Sequence, residues 1–190
     1  MRILSIQGSP RHAGNTASVL AWVEDELNQA GHTVEHVELC ELELRPCLED
    51  LSCQEVYDRP GCAINDDGHA IYDQMLAAEM IILASPLFCW SFTAQMKTLI
   101  DRLICMCKVF DLEAPVFLLQ NKRFALVSTA AGPEEGNMDL IAETFDRFVE
   151  YTHAVSAGKL LIGHCTAPRA LGPDIQKRAR TFAQEITSPA

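Results

Sequence analysis

The sequence has little positive charge and no long hydrophobic segment. Fifteen Lys and Arg residues stand against 26 Asp and Glu residues, which gives a net charge of −11. A field of that sign repels polyanions, so we expect neither nucleic acid nor an anionic membrane surface as a partner. The apolar run from Met80 to Trp90 is far shorter than the roughly 18 residues of a transmembrane helix and contains Pro86. The residues before Gly8 are likewise too few for the apolar core of a signal peptide, so we expect a cytoplasmic protein.

Length and cysteine content bound the architecture. A chain of 190 residues that is 48% hydrophobic suits one α/β domain with a full core. Without an export signal, its eight Cys are expected to be mostly reduced thiols. We therefore predict a single domain over residues 1–190, interrupted by an irregular insertion from Cys40 to Asp67. That insertion carries four of the eight Cys, and a loop of such length inside a domain is usually functional or part of an interface.

Apolar runs of strand length alternate with segments of helical periodicity. Continuous apolar runs are typical of parallel strands that are covered on both faces. The predicted strands are Arg2 to Gln7, Thr33 to Leu39, Met80 to Ser85 and Arg123 to Thr129, with a weaker fifth at Gly158 to Cys165. Helical stripes cover Thr16 to Ala30, Met96 to Ile104, Leu140 to Val149 and Asp174 to Ile186.

The alternation of strands and helices indicates βαβ units with right-handed crossovers. Five strands and five helices in one short domain fit a doubly wound parallel sheet of order 2-1-3-4-5 with helices on both faces, which is the flavodoxin-like arrangement. Ligands of such sheets bind at the carboxyl ends of the strands.

The turn between strand 1 and helix 1 has the composition of a phosphate-binding loop. Gly14 allows a tight backbone, Arg11 offers a forked cation, and hydroxyl or amide groups come from Ser9, Asn15 and Thr16. Neither a Gly-Lys-Ser/Thr ending nor a G-x-G-x-x-G pattern is present, so a single terminal phosphate is favoured over a triphosphate or pyrophosphate. The alternative is a polar turn in which Thr16 serves as the N-cap of the helix.

Two further loops follow strands 3 and 4 at the same edge of the predicted sheet. The first precedes a helix that starts near Phe92 or Thr93, and its side chains are suited to contact a flat aromatic ligand. An aromatic patch buried against helix 3 or another subunit is the alternative. The second is made of small residues that permit close approach of a planar ring to the backbone. The candidate residues of these two loops are Pro86, Leu87, Phe88, Cys89 and Trp90, and Ser128, Thr129, Ala130 and Gly132.

Together these motifs resemble a known family. Gly8-Ser9-Pro10-Arg11 with Gly14-Asn15-Thr16, then Ser85 to Ser91 followed by Ala94 to Lys97, and then Asp101-Arg102, are similar to flavodoxin-fold NAD(P)H-dependent FMN reductases and their iron–sulfur flavoprotein relatives. The resemblance runs from residue 1 to about residue 165. It implies FMN as cofactor, with its phosphate in the first loop and its isoalloxazine between the other two loops.

Metal chemistry in the cysteine-containing insertion is not supported by the spacing of its thiols. In the iron–sulfur relatives closely spaced cysteines after strand 2 bind a four-iron cluster, and the corresponding residues here are Cys47, Cys53 and Cys62. Five and eight residues separate these three cysteines, whereas only two residues separate adjacent ligands in a typical cluster-binding motif. Cys40, the remaining thiol of the segment, lies at the predicted end of strand 2. We therefore predict neither an iron–sulfur cluster nor a zinc ion in the insertion.

The other cysteines and the histidines are interpreted as non-ligands. Cys105 and Cys107 close the predicted third helix and are expected to be buried as small hydrophobic residues. The six His residues show no metal-ligand spacing.

The resulting prediction is an FMN-dependent oxidoreductase that transfers electrons from NADH or NADPH to a small acceptor such as a quinone or flavin. No catalytic side chain is named, because hydride transfer to a flavin requires none. Apolar residues at the open flavin edge predict a homodimer or homotetramer. The first rival is a flavodoxin-type electron carrier, whose acidic surface suits a basic protein partner. The second is a flavin-free interaction module that keeps the fold as a scaffold.

Overall fold

Five parallel strands form the central sheet of the protein. A computed structural model describes residues 1–110, 113–166 and 171–188. The strands within these ranges are β1 (Arg2–Gln7), β2 (Thr33–Glu38), β3 (Met80–Pro86), β4 (Cys107–Lys108), β5 (Val116–Phe117), β6 (Arg123–Thr129) and β7 (Val155–Ile162). The helices are α1 (Asn15–Gln29), α2 (Gly68–Ala77), α3 (Ala94–Arg102), α4 (Asp139–Tyr151) and α5 (Pro173–Thr187).

The order of the sheet is β2-β1-β3-β6-β7, and every neighbouring pair is parallel. This confirms the predicted flavodoxin-like order 2-1-3-4-5. Alternate residues of each strand point to opposite faces. Ile3 and Ile82 pack on the face covered by α1 and α5, while Leu4 and Ile81 pack on the face covered by α2, α3 and α4.

Several predicted boundaries are wrong by a few residues, for identifiable reasons. Strand β2 ends at Glu38 because Leu39–Glu41 turns into a short 3-10 helix. Strand β7 begins at Val155, before the predicted Gly158, which adopts a φ of 143° just beyond an irregularity in the pairing with β6. It also ends at Ile162, so the predicted residues up to Cys165 lie in the following loop.

The end of the third helix also differs from the prediction. Helix α3 stops at Arg102, a 3-10 turn covers Leu103–Met106, and Cys107 belongs to the antiparallel pair of β4 with β5. The interpretation of Cys105 and Cys107 as buried residues is nevertheless correct, since both are 1% exposed.

Buried cations anchor the insertion to the end of α3. The Lys108 ammonium, which is fully buried, donates to the carbonyl oxygens of Cys53, Pro60 and Cys105 at 2.7, 2.7 and 2.5 Å. Burial lowers the pKa of this lysine. Since two of the three carbonyls belong to the insertion, these bonds hold it against β4.

A second anchor is the ion pair of Arg102 with Asp66. Arg102 Nη1 lies 2.6 Å from Asp66 Oδ2, both side chains are 1% exposed, and the same Nη1 donates to the Arg45 carbonyl at 3.2 Å. Burial opposes ionisation of Asp66. Hydrogen bonds from Arg102 and from the amides of Arg45 and Gly68 outweigh this cost and hold the pKa of the Asp66 carboxyl below its usual value.

None of the helices in the described ranges has the length and apolar character needed to span a membrane.

Removal of Asp66 should destabilise the fold strongly. Asp66→Ala leaves the Arg102 charge buried without its carboxylate, and we expect the free energy of unfolding to fall by about 3–5 kcal/mol. Asp58→Ala is the matched control, because the Asp58–Arg59 pair is exposed on both sides and should change stability by less than about 1 kcal/mol. Urea unfolding measures both values, and equal losses would contradict the assignment.

The same pair predicts acid sensitivity. Because the folded-state pKa of Asp66 is depressed, its contribution to stability is present above its unfolded pKa of about 3.9 and is lost as pH falls through the folded value. The destabilisation caused by Asp66→Ala should therefore shrink as unfolding is measured at progressively lower pH.

Candidate functional site

The first loop leaves β1 through a point of very close packing. Gly8 donates to the Ala84 carbonyl at 2.8 Å and accepts a 2.6 Å bond from the Thr93 hydroxyl. A Cβ atom at Gly8 would lie 2.7 Å from the Met96 Cβ, a separation that real side chains do not tolerate. Glycine is therefore needed here, and it fixes the start of the loop against α3.

The loop folds into a compact turn that delivers the N-terminus of α1. The Arg11 amide donates to Ser9 Oγ at 3.1 Å, and the Gly14 amide donates to the Arg11 carbonyl at 3.3 Å. Gly14 is the N-cap of α1, and no side chain in the described part of the chain caps the helix. The first-turn amides and the positive end of the helix dipole are therefore available to an anion.

Thr16 is not the N-cap of α1, so the capping role given to it in the alternative interpretation is wrong. Its hydroxyl bonds to the Thr129 hydroxyl at 2.7 Å and ties α1 to the end of β6.

A cavity of about 220 Å³, here called the first-loop cavity, opens beside this turn. Ten of the predicted site residues line it: Ser9, Arg11, Gly14, Asn15, Thr16, Pro86, Leu87, Phe88, Thr129 and Ala130. Four others do not line it: Cys89, Trp90, Ser128 and Gly132. Three lining residues were not among the predicted site residues: Ala131, Cys165 and Thr166.

The position of Cys165 was missed because the fifth strand was predicted to run through it. In the structure Cys165 follows β7, where its amide donates to the Ala130 carbonyl at 2.8 Å and its carbonyl accepts from Asn15 Nδ2 at 3.0 Å. The topology of the sheet could have identified Cys165, because the loop that follows a fifth parallel strand must also lie at this edge. Asn15 Oδ1 is buried with no partner among the described residues, so the cavity contains a free acceptor.

The second loop is a two-residue turn in a strained conformation. Phe88 and Ser91 exchange two 3.0 Å backbone hydrogen bonds, and the central Cys89 and Trp90 have φ values of 48° and 62°. Positive φ at two non-glycine residues costs on the order of 1 kcal/mol or more each, and such strain clusters at functional sites. The turn leaves Phe88 46% and Trp90 58% exposed, and Phe88 lines the first-loop cavity. The alternative of an aromatic patch buried against helix 3 is therefore wrong.

A second and larger cavity, of about 420 Å³, lies between the insertion and the end of α3. We call it the cysteine cavity because Cys47, Cys53, Cys62 and Cys105 all line it. The sequence analysis missed Cys105 here, since its contact with the insertion depends on the packing of distant segments. Cys40 lies elsewhere, at the end of β2.

The thiols of the cysteine cavity are held in distinct surroundings. Cys62 Sγ accepts a 3.4 Å bond from Arg102 Nη2, and Cys53 is 7% exposed. Burial raises the pKa of the Cys105 thiol to about 12, so this group is neutral near pH 7. Of the two cavities, only the first-loop cavity combines an uncapped helix N-terminus with the carboxyl ends of strands, and it is therefore the candidate ligand site.

Comparison with known proteins identifies the family of the chain. Residues 1–165 match the family model described as NADPH-dependent FMN reductase. An iron-sulfur flavoprotein of Methanosarcina thermophila is 30% identical over 146 residues, which span 77% of this chain and 72% of that protein.

Two further similarities are more partial or more distant. An FMN-dependent NADH:quinone oxidoreductase 2 of Pseudomonas aeruginosa is 31% identical over 71 residues, or 36% of this chain and 35% of that protein. The crystal structure of an azoreductase from Bacillus anthracis superposes with a TM-score of 0.72 at 17% identity, covering 98% of both chains. At that identity the likeness establishes the fold alone.

Proposed function

This chain belongs to the NADPH-dependent FMN reductase family, and we propose that it binds FMN in the first-loop cavity and transfers electrons from NADH or NADPH to a small acceptor. The observation that carries the proposal is the convergence of an uncapped helix N-terminus, the Arg11 side chain and three strand ends on that cavity.

The FMN phosphate is assigned to the turn from Ser9 to Thr16. The first-turn amides of α1 and the Arg11 guanidinium supply donors and positive charge for a dianion. The unpartnered Asn15 Oδ1 is suited to accept a hydroxyl of the ribityl chain. The residues present therefore fit the phosphate end of FMN.

The isoalloxazine ring is assigned to the space between the second and third loops. Pro86, Leu87 and Phe88 border one side of the cavity, and Ala130 with Ala131 borders the other without bulky side chains. We assign Cys89 and Trp90 to shaping the turn that presents Phe88. Ser128 and Gly132 support the third loop from outside the cavity.

FMN supplies the hydride and single-electron chemistry. The protein binds and orients it and excludes water from one face of the ring. Among the described residues that line the first-loop cavity there is no carboxylate or imidazole, in keeping with a reaction that needs no side-chain acid or base.

A flavodoxin-type electron carrier remains the second candidate, favoured by the net charge of −11. The small-acceptor reaction is preferred because the exposed Phe88 and Trp90 provide an apolar rim suited to an aromatic substrate. We also propose that the protein acts in the cytoplasm, since its eight free cysteines suit a reducing compartment.

The steady-state test uses the FMN-loaded protein. We expect oxidation of NADH or NADPH that is accelerated by an added quinone. If the bound flavin is reduced only through another redox protein, the result would favour the electron carrier. If the protein does not bind FMN, the flavin-free interaction module would be the hypothesis that remains.

Arg11→Ala should weaken FMN binding by about 1.5 to 3 kcal/mol, the range for a charge-assisted bond to a phosphate. The affinity for riboflavin, which lacks the phosphate, should barely change. Fluorescence titration measures both, and Arg147→Ala on α4 is the control. Equal losses of affinity for FMN and riboflavin would show that this loop does not bind the phosphate.

We propose a homodimer or homotetramer in which a second copy covers the flavin edge. The first-loop cavity of about 220 Å³ is smaller than the roughly 300–1,000 Å³ that drug-sized ligands occupy, so part of FMN lies outside it. Sedimentation at micromolar concentration should give a dimer or larger, and Trp90→Ser should shift it toward monomer. Tyr151→Ser, an exposed aromatic residue on α4, should not; a monomeric wild type would contradict the proposal.

We further propose that FMN is the only redox centre. Cys105 does bring a fourth thiol to the cysteine cavity, so the absence of a fourth ligand no longer argues against a cluster. The spacing of the other three thiols remains the argument against a cluster, since five and eight residues separate Cys47, Cys53 and Cys62, whereas adjacent cluster ligands are typically separated by two.

Iron and acid-labile sulfide analysis after anaerobic purification tests this. We expect neither in stoichiometric amount. Near-stoichiometric iron that is lost in both Cys53→Ser and Cys105→Ser, but kept in Cys40→Ser, would establish a cluster in the cysteine cavity and overturn the proposal.

A further inference from the structure

A histidine, a cysteine and two glutamates meet at the end of β2, outside both cavities. The ligand atoms of His12, Glu38 and Cys40 all lie within 4.8 Å of one another. Cys40 Sγ is 3.9 Å from His12 Nδ1 and 3.8 Å from Glu38 Oε2, and His12 Nδ1 also hydrogen-bonds to Glu38. Glu41 Oε1 approaches His12 Nδ1 at 3.7 Å.

Parallel pairing explains why distant residues meet here. Gln7, the last residue of β1, pairs with Glu38, the last residue of β2, so both strands end at the same level. The first loop then carries His12 over the end of β2. The 3-10 turn Leu39–Glu41 adds Cys40 and Glu41 beside Glu38. Sequence spacing alone gave no sign of this, because His12 and Cys40 belong to different loops.

The separations suit a tetrahedral metal site. Zinc binds sulfur at about 2.3 Å and imidazole nitrogen or carboxylate oxygen at about 2.0–2.2 Å, which places neighbouring ligand atoms about 3.5 Å apart. The sulfur separations of 3.8 and 3.9 Å therefore require only a few tenths of an ångström of contraction. His12 Nδ1 and Glu38 Oε2, which are in direct hydrogen-bond contact, have to move apart to admit the ion. Thiolate, imidazole and carboxylate are also the ligand types that zinc prefers.

The far side of the cluster holds Glu38 in place. Its Oε2 faces His12, while its Oε1 lies 3.6 Å from His36 Nε2. His36 Nδ1 is in turn bonded to Glu24 at 2.6 Å. Metal-ligating carboxylates are characteristically oriented by outer partners, and the His36 ion contact is a partner of this kind. Three carboxylates near two imidazoles also leave negative charge that a divalent cation would compensate.

A cysteine nucleophile activated by histidine explains the geometry less well. Cys40 Sγ lies 3.9 Å from both ring nitrogens of His12, so it sits beside the ring and not along the lone pair of either nitrogen. The two glutamates nearby also disfavour a free thiolate, whereas a metal ion would stabilise one.

We propose that His12, Glu38 and Cys40 bind one divalent transition-metal ion of the zinc class, with Glu41 as the fourth ligand. His12 is 59% exposed, so the ion reaches the cluster directly from solvent. A bound ion would tie the first loop to the end of β2.

Cobalt provides a spectroscopic test in the FMN-loaded full chain, kept reduced with a phosphine. Co²⁺ should bind at one equivalent per chain with a thiolate charge-transfer band and tetrahedral bands at longer wavelength than the flavin, and Zn²⁺ should displace it. Cys40→Ser should remove the charge-transfer band, and both Cys40→Ser and His12→Ala should weaken Zn²⁺ binding by about tenfold or more in competition with a chromogenic chelator.

Cys47→Ser is the matched control, because it removes an exposed thiol from the cysteine cavity and should leave the cobalt spectrum unchanged. Far-ultraviolet circular dichroism reports that each variant remains folded. The proposal is overturned if Cys40→Ser binds cobalt with the wild-type spectrum and affinity, if Cys47→Ser abolishes the band, or if no stoichiometric binding is seen.

Discussion

The parallel pairing of β1 with β2 and β3, and of β3 with β6, is the constraint on which the rest of the structure depends. In this register Gln7 pairs with both Glu38 and Ala84, and Ala84 pairs with Val127, so β1 and β2 end at one level and β3 and β6 end together two residues further on. The loops that follow must meet at a single edge. One interaction pattern therefore creates the first-loop cavity and also brings together the side chains at the end of β2.

A different principle organises the insertion. Its Leu42, Leu44 and Cys53 pack with the core, and buried polar groups also hold it, chiefly Lys108 with three carbonyls and Arg102 with Asp66. Buried charges of this kind add little net stability over a hydrophobic substitute, but breaking one partner is costly. These buried polar contacts fix the position of the insertion against the rest of the domain. The cysteine cavity is a consequence of that placement.

Sequence was most informative where structure is local or periodic. Continuous apolar runs identified the sheet and its order, and the turn from Ser9 to Thr16 was recognisable by composition. The sequence could not indicate that Lys108 contacts the insertion or that His12 lies over Cys40. Nor could it indicate that Cys105 lines the same cavity as three distant cysteines. Each of these depends on contacts between segments far apart in the chain, and no local pattern encodes them. The end of β7 was misplaced by three residues, since Gly163, His164 and Cys165 lie in the loop that follows Ile162.

The central claim is that the converging strand ends form the FMN site, with the phosphate at the N-terminus of α1. A crystal structure of the FMN-loaded protein tests it most directly. The account predicts the phosphate within hydrogen-bond distance of the first-turn amides of α1 and of Arg11, and the ring between Phe88 and Ala130. A phosphate bound elsewhere, or a flavin ring in the cysteine cavity, would contradict it.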